Sequence, residues 1–135
     1  MSTSFSLRVL RKIIGSAVAV LAGTVTGIIA MLLLGWDDWH ACLFMIGIFA
    51  LPAWLLVVLP LHVLLPGSSR FWRPTISAGI GAASGAMLLT VYFAFSGDAP
   101  FVLIVLFLPI ALIVGVVTGL VGSALARCYY ETGTA

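Results

Sequence analysis

His62, between Pro60 and Pro66, is the histidine enclosed by a long apolar run of this chain. An imidazole titrates near neutral pH, so it could serve as a proton relay or pH sensor close to Arg70 and Arg73. One histidine with no acidic neighbour in sequence is a thin basis for that. The expectation is an interfacial ring that reaches headgroups or a carbonyl left open by Pro60. Asp37, Asp38 and His40 form the other cluster able to do chemistry, since two carboxylates and an imidazole could touch a divalent cation. A closed site would need a further ligand, and Asp98 is the remaining candidate on that side. A solvated turn is the expected reading, with no metal bound.

Intramembrane enzymes and proton-coupled carriers need ionisable groups at depth, which cost about 2.5–3.5 kcal/mol on insertion scales. No Asp, Glu, Lys or Arg lies within 13–34, 40–65, 75–95 or 101–126. Asp98 has no second buried Asp to pair with, and no G-x-S-x-G elbow supplies a nucleophile for His62. Phosphate loops and dinucleotide fingerprints are missing as well. The reading is therefore non-catalytic, without cofactor. Cys42 and Cys128 fall a membrane thickness apart, too far for a disulfide within the chain. Thr24, Thr26, Ser84, Thr90, Tyr92, Thr118 and Ser123 are scattered hydroxyls, expected to bond a carbonyl one turn back or across a helix contact.

The elements that must hold these residues follow from composition. The chain has 135 residues, 63% of them hydrophobic and 7% charged, with a mean hydropathy of +1.29. Soluble domains carry roughly a quarter charged residues, so a water-soluble globule, a disordered chain and a nucleic-acid binder are all excluded. The four uncharged runs are 22, 26, 21 and 26 residues long, and a helix needs about 20 to cross the bilayer core. They do not alternate as barrel strands would. Lipid leaves the backbone no outside partner, so such runs form helices. The fold class is an all-α integral membrane protein of four transmembrane helices, a single membrane domain with tails at 1–12 and 127–135.

Aromatic and turn residues punctuate the spans. Trp36 and Trp39 flank the first turn, Phe71 and Trp72 the second, and Tyr129 and Tyr130 follow the fourth run, as expected of interfacial anchors. Pro66-Gly67-Ser68-Ser69 ends the second run, and Ser96-Gly97-Asp98-Ala99-Pro100 turns into the fourth. All six basic residues (Arg8, Arg11, Lys12, Arg70, Arg73 and Arg127) fall on one side, with Asp37, Asp38 and Asp98 on the other. The positive-inside rule then puts both termini in the cytoplasm. The localisation expected is a multi-pass protein of a cell membrane, a bacterial inner membrane in particular. Ala17-Val18-Ala19 has the form of a cleavage site, but the apolar run continues to Leu34, too far for a signal peptide. Arg8, Arg11 and Lys12 share one helical face and Leu7, Leu10 and Ile14 another; a stop-transfer cluster is expected there rather than a separate interfacial helix.

The chain also resembles itself. Residues 22–33 match 78–89 at six of twelve positions, at an offset of 56. At an offset of 57, Phe44, Leu51, Pro52, Leu55 and Val57 match Phe101, Leu108, Pro109, Leu112 and Val114. Two parallel hairpin repeats, about 13–65 and 71–126, are expected, with Pro52 and Pro109 kinking their second helices alike and Pro60 as a further break. Small residues four apart mark candidate contacts: Gly15, Ala19, Gly23 and Gly27; Ser77, Gly81 and Gly85; Ala111, Gly115, Gly119 and Ser123. Such stripes let backbones approach where no hydrophobic effect drives association. The second run has no comparable ladder, which suits a lipid-facing or partner-facing place.

These features point to a small accessory, assembly or protective subunit that acts through helix packing. Its expected partners are the lipid bilayer and either further copies of itself or another membrane protein, with no nucleic acid. The alternative is a homodimeric transporter or channel for a small solute. A polar, water-filled cavity at mid-membrane would favour the second.

Overall fold

The computed structural model describes residues 2–66, 68–96 and 101–130. Helix α1 runs Ser2–Leu33, α2 Trp39–Ala53, α3 Leu59–Leu64, α4 Pro74–Ser96 and α5 Phe101–Tyr130. A π-helical turn, Trp54–Val58, joins α2 to α3, and a 3-10 turn at Arg70–Trp72 precedes α4. Four helical stretches are long and apolar enough to cross a membrane: Ser6–Leu33, Trp39–Leu64, Pro74–Phe95 and Ile104–Cys128. They match the runs read from sequence to within a few residues at most ends. The basic segment before the first span is not a separate element, because α1 passes through it unbroken. The 97–100 turn with Asp98 and the tail beyond residue 130 lie outside the described residues.

Local chemistry explains the ends. Gly35, at φ +87, stops α1: its N–H donates to the Leu32 carbonyl at 3.0 Å and that of Trp36 to Met31 at 3.2 Å. This reversed bonding needs a left-handed residue, which glycine adopts without penalty. Asp38 then caps α2, its carboxylate accepting from the amides of His40 at 3.0 Å and Ala41 at 3.2 Å. Pro66 follows the extended Leu65, where α3 has ended.

α5 lies against both α4 and α1, and these two faces are the most extensive in the molecule. The second span, Trp39–Leu64, leans on α1 along its length but meets α4 chiefly through α2. Near the Trp36 end, Met31, Cys42, Ile46, Leu89, Phe93, Phe107 and Ile110 form one buried cluster drawn from all four spans. Trp36 closes it edge-on to Phe107, with ring centres 5.5 Å apart. At the other end, Lys12 Nζ donates to the carbonyls of Val63 at 3.1 Å and Leu65 at 3.2 Å. A cation there satisfies orphan carbonyls at a helix C-terminus.

Candidate functional site

α4 and α5 run antiparallel with their backbones in contact. A Cβ at Gly81 would strike the Gly115 carbonyl, one at Gly85 the Ala111 carbonyl, and one at Gly119 the Ser77 carbonyl. Ser77 Oγ donates across this seam to the Gly119 carbonyl at 2.8 Å. The neighbouring face of α5 takes α1. A Cβ at Gly23 would meet Thr118 and the Val114 carbonyl, and one at Gly27 would meet Val114 and Ile46. Ala19, wholly buried, lies opposite Gly122. Gly15 is half-buried, and Ser123 is buried with its hydroxyl bonded to the Leu120 carbonyl at 2.8 Å. Thus α5 presents two adjacent stripes, 111/115/119 to α4 and 114/118/122 to α1. The second includes Gly122, which the sequence reading did not single out. Thr118 and Gly122, four apart on α5, were the signal for it.

On the second span itself, a Cβ at Gly47 would meet nothing within 4 Å. Pro52 and Pro109 have different consequences: α5 continues as α-helix through Pro109, while Pro52 is followed after one residue by the π turn. There the Leu59 amide donates to Trp54, five residues back, one residue before Pro60, which has no N–H to give. The wide turn carries Trp54 toward α1, where its indole N–H donates to Ser16 Oγ at 2.9 Å. Ser16 in turn donates to the Ile13 carbonyl at 2.7 Å and is fully buried. One hydroxyl thereby satisfies an indole at a depth where water is absent. Although the second span was expected on the lipid or partner side, its Trp54 turns its polar edge inward.

Between the second span and the other helices lies a cavity of about 100 Å³. Its walls include Val20, Ala53, Gly81, Ser84, Leu89 and Thr118. The hydroxyls that line it are committed within their own helices: Thr24 to Val20 at 2.9 Å, Ser84 to Gly81 at 2.9 Å and Thr118 to Val114 at 2.8 Å. A space of this size and lining stays dry, since a water needs about two to four polar partners.

A smaller cavity, about 40 Å³, continues toward the Lys12 end and is lined by His62, Trp72, Ser77 and Gly122 among others. Of the two contacts expected for His62, a headgroup or a carbonyl near Pro60, the ring makes the second and is buried away from the surface. It is 3% exposed, with Nδ1 2.9 Å from the Val58 carbonyl. Gly122 makes room for it: a Cβ there would stand 3.1 Å from the ring. Trp72 packs edge-on against it, centres 4.6 Å apart. Trp72 departs from the expected anchor. It is 4% exposed, its indole N–H held by the Pro66 carbonyl at 3.0 Å and its own carbonyl by Arg127 Nε at 3.1 Å. Phe71 beside it does remain exposed.

Asp37, Asp38 and His40 are all exposed at the opposite end. Asp38 is occupied as the α2 cap, and His40 Nδ1 stands 3.8 Å from its carboxylate. Among the described residues, no group of three His, Cys, Asp or Glu gathers as a metal site. The cap could have been read from sequence, because Asp directly before an apolar helical run is a preferred N-cap residue. No protein-family model, no curated protein and no solved structure matches this chain.

Proposed function

We propose that the chain is a non-catalytic, multi-pass membrane subunit that works by helix packing, as an accessory, assembly or protective component of a bacterial cytoplasmic membrane with both termini inside. One observation carries the reading. The cavity between the second span and the other helices has an apolar lining, and its hydroxyls are already bonded within their own helices. A path for a polar solute would need those groups open to the solute. The outward face of the second span supplies the partner surface, through Phe44, Leu51, Leu55 and Leu56, all more than half exposed.

The competing reading, a transporter or channel module, has the π turn beside the cavity in its favour, because such turns recur at functional sites. Two measurements separate the readings. Proteoliposomes containing the protein should show no proton or small-solute flux above protein-free vesicles. A photoreactive residue at Leu55 should cross-link to one defined membrane protein, either a second copy or another chain. Flux in the wild type that vanishes with His62→Ala overturns the packing reading, as does cross-linking to lipid alone.

A further inference from the structure

We propose that the larger cavity, beside the π turn, is a binding site for one small apolar molecule of about four carbons or the same bulk, taken up from the bilayer. Volume sets the limit. The space is about 100 Å³, against roughly 150 Å³ for an apolar cavity that holds benzene. Six ring carbons scaled by that ratio leave room for about four. A full acyl chain does not fit.

The lining selects for apolar character. Met31, Met45, Phe49 and Phe107 bring thioethers and aromatic rings to the walls. Such groups are polarisable, and the unbranched methionines adapt to an irregular guest through dispersion. The hydroxyls of Thr24, Ser84 and Thr118 give their protons to carbonyls of their own helices. These three therefore hold out no donor to a polar solute.

The second span keeps the space open. Trp54, the largest side chain of the π turn, is drawn to Ser16 on α1. The turn meets the cavity instead with Ala53, just before it, and Val58, its last residue. On α4, Ser84 lines the space with a short side chain as well. Phe49 and Tyr92, ring centres 4.9 Å apart, bridge the second span to α4. Turns of this kind recur at functional sites, so a backbone irregularity and a cavity, two separate observations, fall at one place. Entry is from hydrocarbon. The second span meets α4 chiefly through α2, which leaves the seam beside the π turn lightly packed. Small apolar solutes concentrate in the bilayer, because apolar surface is driven out of water. Binding of this kind requires neither flux nor a partner protein, so it stands apart from the packing reading.

The test places the full chain in nanodiscs with dimethyldiazirine, a small apolar photolabel, and maps labelled residues by mass spectrometry. Labelling should saturate with probe concentration and concentrate at Met45, Ala53 and Ser84. With the probe below saturation, n-butane at about ten times its Kd should cut that labelling about tenfold, as one shared site requires. Adamantane, equally apolar but too large to enter, should leave it unchanged. Ala53→Leu, which fills the space with a side chain of the protein, should remove labelling at Ser84 while elution stays that of the wild type. Labelling that rises without saturation and spreads over exposed Leu21, Val25 and Met87 overturns the proposal. So does equal competition by butane and adamantane, or Ser84 labelling that survives in folded Ala53→Leu. The wild-type competition decides even if that variant does not fold.

Discussion

In the hairpin of α4 and α5, backbone meets backbone at Gly81 and Gly115, and a hydroxyl crosses the seam from Ser77 to Gly119. In the hairpin of α1 and the second span, Trp54 stands between the helices and reaches Ser16 with its indole. At the offset of 57 that aligns Pro52 with Pro109, Trp54, Val58 and His62 occupy the places of Ala111, Gly115 and Gly119. Three large side chains replace three small ones. In lipid, where dispersion and close approach hold helices together, that exchange turns a sealed interface into a spaced one with a cavity beside it. Similar sequence need not mean similar packing.

The sharpest way to break this comparison is to put bulk into the sealed hairpin. Gly115→Leu would drive a side chain into the Gly81 backbone, and should cost at least about 3 kcal/mol. Folded protein in detergent should fall to a minor fraction by size exclusion. If Gly115→Leu is tolerated, the backbones do not meet there.

A second test compares residues that the internal match treats as equivalent. Gly23 and Gly79 align at an offset of 56, yet a Cβ at Gly23 meets Thr118 and one at Gly79 meets nothing within 4 Å. Gly23→Leu should destabilise by about 1–3 kcal/mol. Gly79→Leu should stay within about 0.5 kcal/mol, as surface changes do. Equal effects in a denaturant titration of helix content would show that α1 and α4 use corresponding faces.

The polar contacts of the two hairpins differ by smaller amounts. Ser16→Ala leaves the Trp54 N–H without its acceptor, which should cost about 1–3 kcal/mol. Ser77→Ala removes one interhelical bond from an interface that keeps its close contact, and should cost about 0.6 kcal/mol. Thermal unfolding of the two variants side by side orders them. Smallest of all, Leu56→Ala should change stability by less than about 0.5 kcal/mol, because Leu56 is 71% exposed.

Four helical spans were legible in the residues alone. Runs of about 20 or more uncharged residues allow the backbone no other hydrogen-bonded form in hydrocarbon. Small residues at four-residue spacing were visible too, since helical periodicity places them on one face whatever lies opposite. The partner of each stripe was not visible, because spacing is a property of one helix and contact a property of two. Gly122 became part of an interface only when α1 arrived at Ala19. Burial of single large residues was equally hidden. Trp72 in a loop next to arginines has the composition of a headgroup anchor, and only the fold brings Pro66 and His62 to it. The second run was read as lipid-facing or partner-facing for want of a small-residue ladder, and only the fold shows that its Trp54 indole reaches Ser16. Composition and period thus determined how many helices cross and which faces can touch. Which faces do touch, and the cavity left where they do not, depend on the volumes of side chains far apart in sequence, which only the assembled bundle brings together.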